Sequence, residues 1–136
     1  MEINDINKLL QTIFAPWIVD LGVTCTSAEK TRSRFVLPAN DRLVHVGGVI
    51  CGQATASVAD TAAVVALAAA NGRFRICATV DLTTHFIRPL PPGDVDVVID
   101  VLSNGKKMAF TRAELFAPGT QNPAVSATMA FVYMED

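Results

Sequence analysis

One carboxylate, Asp60, stands in the middle of residues 51–70, CGQATASVADTAAVVALAAA, a stretch otherwise built of small apolar and hydroxyl-bearing residues. This composition favours a single long helix over 51–70. A charged group on a face meant for burial costs several kcal/mol unless it is paired or used. The uses open to a half-dry carboxylate are general base catalysis on water and direct nucleophilic attack. At the start of the same helix stands Gly52. The helix is long and apolar enough to be mistaken for a membrane span, but Asp60 at its centre, with Gln53, Thr55, Ser57 and Thr61, argues against one. Cys25, Cys51 and Cys77 have no CxxC spacing and no partnered histidines, so they read as small buried hydrophobes and give no metal site. Their odd count, with no signal peptide in view, points to a reducing compartment and a cytoplasmic protein. A formal net charge of −2 gives no global reason to expect nucleic acid.

The elements that must position Asp60 follow from periodicity. Ile6, Leu9, Leu10 and Ile13 share one face of a helix over Ile3–Ile13, capped by Asn4 or Asp5 and ended by Pro16. Leu21, Val23 and Cys25 alternate, residues 27–30 turn, and Arg32–Leu37 alternates again, which is a hairpin. Leu43–Ile50, with Gly47-Gly48, leads into the long helix, and Asn71-Gly72 ends it. A long strand is expected over Ile76–Arg88, with Ile76, Ala78, Val80 and Leu82 on one face, and Pro89, Pro91, Pro92 and Gly93 stop it. Val95–Val101, Lys107–Phe116 and Ala124–Met134 complete a meander through a turn at Ser103-Asn104-Gly105 and a loop at residues 118–123. The 136 residues make one domain. A run of strands with one buried helix means α+β. The expected strand order is 1-2-4-5-6-3, with Ile76–Arg88 at one edge, free to pair with its counterpart across a dimer axis.

Three strings in this order resemble the hotdog-fold acyl-CoA thioesterases of the phenylacetate-degradation type. Val58-Ala59-Asp60-Thr61-Ala62 is similar to that family's L-A-D-T-A segment with its catalytic aspartate. Thr79-Val80-Asp81-Leu82, followed by Phe86-Ile87-Arg88-Pro89-Leu90, is similar to S/T-x-D-x-x-x-x-F-x-R-P-A. Asn104-Gly105-Lys106-Lys107-Met108-Ala109-Phe110 resembles its G-R/K-x-x-A-F turn. The resemblance covers roughly Val19 to Tyr133. It implies a hotdog fold, a curved antiparallel sheet wrapped around one long central helix, and hydrolysis of an acyl-CoA in which CoA is part of the substrate and no cofactor is needed. It also implies a homodimer, often paired into a homotetramer. The family's His-Gly-Gly is here Cys51-Gly52-Gln53, with Gln53 beside the substrate. His45 falls where some members carry Asn or Gln, and would donate a hydrogen bond to the thioester oxygen. Thr79 aligns with a Ser or Thr that helps position water. The fold also hosts hydratases, dehydratases and non-catalytic acyl-CoA-binding modules.

The chemistry fits these residues. The first N–H groups of a helix lack intrahelical acceptors and carry the positive end of its dipole. Gly52, with no Cβ, lets a thioester oxygen approach one of them closely. Eight residues separate Gly52 from Asp60, about 12 Å along a helix, so one chain's pair cannot both touch one carbonyl carbon. Two antiparallel helices side by side would bring Gly52 of one chain to Asp60 of the other, and a two-fold dimer does this twice. The small faces at Ala54, Ala56, Ala59, Ala63 and Ala66 would allow close approach to neighbouring elements. Arg88, Lys106 and Lys107 are the candidate cations for CoA phosphates. Cys51 is expected to be structural, Asp81 to pair with a nearby arginine, and His85 to pack within the sheet.

Overall fold

The computed structural model describes residues 1–135. The first helix, α1 (Ile3–Thr12), buries Ile6 and Leu10, and the carboxylate of Asp5 accepts the Glu2 backbone N–H at 3.1 Å. Pro16 does more than end it: with its fixed φ it opens a short helix, α2 (Pro16–Val19). The hairpin follows as β1 (Thr24–Ala28) and β2 (Arg32–Leu37). β1 starts later than the alternation at Leu21 suggests, because Gly22 takes a left-handed φ of +74° that no strand residue adopts. The long helix α3 spans Gly52–Asn71, with Gly72 as its left-handed C-cap. After it come β3 (Cys77–Phe86), β4 (Val95–Asn104), β5 (Met108–Phe116) and β6 (Val125–Tyr133).

The strands form one antiparallel sheet in the order β1-β2-β4-β5-β6-β3, as the meander and hairpin lead one to expect. The expectation that this sheet curls and wraps around the helix is corrected. The sheet is open: β1 and β3 lie at opposite ends of the order and do not pair with each other, and closure requires that pairing. The sheet is therefore one layer against one side of α3. From the sheet, Phe35, Leu37, Val97, Ile99, Leu115 and Phe131 are buried; from the helix, Val58, Ala62, Val65 and Leu67 meet them. α1 lies beside α3 and β1 and covers a further flank. The stripe Gln53, Ser57, Asp60 and Val64, spaced as one helix face, stays exposed or half-buried. α3 is long and apolar enough to cross a membrane, yet most of it is buried as the core helix of this fold.

A bulge decides which way β3 presents its side chains. Thr79 pairs with Phe131 and Asp81 with Ala130, so Val80 is an extra residue. An inserted residue reverses the alternation beyond it. Ala78 and Leu82 consequently lie on opposite faces of the sheet, not on the single face that strict alternation predicts. Thr79, Leu82 and Phe86 oppose Phe131, Met129 and Val125, all buried partners on the helix side. Asp81, Thr83 and His85 oppose Ala130, Thr128 and Ser126 on the other face.

Candidate active site

Asp60 sits midway along α3, half-buried. The hydroxyl of Thr79 donates to its Oδ1 at 2.7 Å. Among the described residues no cation pairs with it. Burial pushes its carboxyl above the usual carboxylate range, and the Thr79 hydrogen bond opposes that shift. The contact exists because the β3 bulge begins just after Thr79, leaving that hydroxyl on the helix side of the edge strand. Cys77, on the same face of β3, is free and half-buried. Burial raises its thiol, the nearby Asp60 charge raises it further, and Arg75 opposes both.

A second group of residues gathers at the start of α3. Cys51 occupies the N-cap and makes no side-chain cap bond, so the first N–H groups, including that of Gly52, keep the unmet donors of any helix start. A cleft of about 380 Å³ opens there, lined by Gly52, His45, Thr55, Phe86, Arg88 and neighbours from the segments 49–50 and 87–90. His45 lies in a tight loop whose tip is Gly47-Gly48, and its Nδ1 accepts the Gly47 N–H at 2.8 Å. That bond places the proton of the neutral ring on Nε2, which leaves a donor. The Arg88 guanidinium donates to the Pro123 carbonyl at 2.6 Å. The Phe86 ring lies against Gly52: a Cβ on Gly52 would fall 2.9 Å from Cε1 and 3.0 Å from Cζ.

The residues singled out in the sequence thus fall into four places. Asp60 and Thr79 meet; Gly52, His45 and Arg88 meet around the cleft; Gln53 is exposed on the first turn of α3. Lys106 and Lys107 lie in the β4–β5 turn, by the Cys77 end of β3, where the Tyr133 N–H donates to the Lys107 carbonyl. Arg88 lies beyond the other end of β3, so a patch joining it to both lysines within one chain would have to span roughly 30 Å. Asp81 finds no arginine; it accepts from the Thr83 hydroxyl at 3.3 Å. His85 is exposed on the face away from α3. Of the cysteines, Cys25 is buried, whereas Cys51 and Cys77 are only half-buried. Among the described residues no three His, Cys, Asp or Glu side chains could hold a metal ion together.

Sequence reasoning missed two contributors. Phe86 was legible only as one letter of a string, and its seat on Gly52 needed the fold. Arg75 stacks over the Tyr133 ring at 3.6 Å and donates to the Lys106 carbonyl at 3.1 Å, so it helps to fix the lysine turn. Tyr133 in turn joins Asn71 and Asn104 in a closed ring of side-chain hydrogen bonds that ties the end of α3 to that turn.

Comparison with known proteins agrees with this architecture. A protein of Saccharolobus solfataricus that carries the name of an esterase is 26% identical over 110 residues, covering 79% of this chain and 70% of its own length. Zebrafish thioesterase superfamily member 2 superimposes with a TM-score of 0.87 at 16% identity, over 98% of this chain and 99% of its own. A conserved protein of Pseudomonas aeruginosa does so with a TM-score of 0.80 at 22% identity, over 89% and 95% of the two chains. The profile of the family described as the thioesterase superfamily matches residues 47–124, the segment that holds Gly52, Asp60, Thr79 and Arg88. On that match, which spans more than half its length, the chain belongs to the hotdog-fold thioesterase superfamily.

Proposed function

We propose that the protein hydrolyses an acyl-CoA thioester, with Asp60 as the base or nucleophile and the Gly52 N–H polarising the carbonyl. The observation that carries this reading is the state of Asp60: half-buried, raised, and held by one neutral hydroxyl. A carboxylate in that condition binds protons more tightly than usual and can take one from water near neutral pH. The resemblance to the phenylacetate-degradation type supports the choice of CoA. The three free cysteines suit a reducing, cytoplasmic setting.

The distance between Gly52 and Asp60, about 12 Å on one helix, makes the working unit a homodimer. β3 supports this: it is an edge strand of ten residues with Val80 and Phe86 well exposed, and such an edge invites a partner strand. Antiparallel pairing of two β3 strands brings the Phe86 end of one chain to the Cys77 end of the other. The same two-fold therefore brings Arg88 of one protomer to the lysine turn of its partner, and the cation set for CoA phosphates is completed between subunits. A homotetramer of two such dimers belongs to the same reading.

Free-thiol release from a panel of acyl-CoAs tests the activity, with Asp60→Asn as the control, and solution mass tests the dimer. Wild-type turnover that survives in Asp60→Asn, or full activity in a stable monomer, rejects the mechanism. Binding of CoA esters without turnover selects the non-catalytic alternative. Replacing Lys106 and Lys107 by alanine is expected to raise KM and spare kcat, since phosphate contacts are alike in ground and transition states.

A further inference from the structure

We propose that Phe86 limits the bulk of the acyl group beside the carbonyl, and that Gly52 lacks a Cβ in order to seat the Phe86 ring. The inference rests on the thioesterase reading above and deepens it. Any Cβ at Gly52 would lie within 3.0 Å of two ring atoms, closer than carbon atoms approach. Gly52 has an ordinary φ, unlike the left-handed glycines of this chain, so backbone conformation does not account for it. Phe86 is 58% exposed, so the glycine contact is a seat at the mouth of the site and not core packing. Phe86 closes β3 opposite Val125, and both residues line the cleft at the start of α3.

The consequence is one of space. A carbonyl oxygen that reaches the Gly52 N–H brings its carbon, and the α-carbon attached to it, against a wall that the ring forms. An unbranched α-carbon passes; a second substituent there meets the ring. Arg88 and Pro89, two and three residues beyond Phe86, line the same cleft. Phe86 is thus a specificity-determining residue for the substituents on the α-carbon, and the absence of a side chain at Gly52 keeps it in place.

The test uses the full chain and two isomeric substrates, butyryl-CoA and isobutyryl-CoA, followed by thiol release. Phe86→Ala is expected to raise the isobutyryl-to-butyryl ratio of kcat/KM by about ten-fold or more, the scale at which a pocket reads one methyl group. Phe86→Leu should give a smaller change in the same direction, and it serves where the alanine variant does not fold. Gly52→Ala should cost at least about ten-fold in the wild type and at least several-fold less in the Phe86→Ala background, because the added methyl then has no ring to displace. An unchanged ratio in both Phe86 variants overturns the assignment, as does an equal cost of Gly52→Ala in the two backgrounds. If the wild type hydrolyses neither these esters nor any other acyl-CoA, the thioesterase reading itself falls. Wild-type turnover with unaltered selectivity in the variants removes only the role of Phe86.

Discussion

Asp60 and Asp100 are both withdrawn from water, and the fold treats them in opposite ways. Asp100 lies on β4, on the face of the sheet away from α3, and is buried. Arg32 Nε meets its Oδ1 at 2.6 Å and Arg112 Nη2 meets its Oδ2 at 3.1 Å. Burial alone would raise that carboxyl, but the hydrogen bonds and charges of Arg32 and Arg112 together hold it below the usual range. Burial is the leading influence on Asp60 too, but only the Thr79 hydroxyl opposes it, so its carboxyl goes up. One acid is saturated with cations and serves the fold; the other is left with an unspent appetite for protons, which suits the proposed chemistry.

The largest expected effect breaks the comparison at Asp60. Asp60→Asn or Asp60→Ala should lower turnover by about 10²-fold or more, the usual scale for a positioned base. It should not lower stability. A carboxyl raised in the folded state binds protons more tightly there than in the unfolded chain, so its charge burdens the fold once pH exceeds its native value. A neutral asparagine removes that burden, and the melting temperature at pH 7 should stay or rise. A variant that is both inactive and unstable would make Asp60 a structural acid like Asp100.

Asp100→Asn should do the reverse. It leaves two guanidinium groups without their carboxylate and is expected to cost about 1–3 kcal/mol, limited because both arginines are partly exposed. Turnover per folded molecule should hold. The lowered carboxyl contributes stability that is present above the unfolded carboxylate range and lost as pH falls through its native value. Acid denaturation curves of wild type and Asp100→Asn should therefore converge at low pH. Curves that stay parallel would discard the pairing as a stabilising element.

Thr79→Ala sharpens the contrast from the other side. It deletes the one hydrogen bond that opposes the raised carboxyl, so the acid limb of kcat/KM should move to higher pH. At neutral pH the loss should stay below about ten-fold, the reach of one hydrogen bond. A limb that moves to lower pH would deny Thr79 its part in tuning Asp60. Arg32→Gln should cost the least in chemical denaturation, less than Asp100→Asn, because its side chain is half exposed and Arg112 remains. A larger cost would make Arg32, not the pair, the anchor of Asp100.

Much of the framework was legible without coordinates. The small-residue run from Gly52 to Asn71, ended by Gly72, could only be one helix, and its lone acid announced itself by its neighbours. The hairpin, the meander and the strand order followed from local alternation and turn residues, which act through nearest neighbours in the chain. Tertiary structure decided what depends on contacts between distant segments. Alternation says which residues could face inward but not whether a sheet closes, and closure fails here because β1 and β3 never meet. The bulge at Val80 carries no composition of its own, yet it sets Thr79 toward Asp60 and turns Asp81 away. Chain order put Arg88, Lys106 and Lys107 into one list of cations; an extended β3 puts its own length between them. That the bare Cα of Gly52 also seats an aromatic ring became visible only when Phe86, 34 positions later in the sequence, was found resting against it.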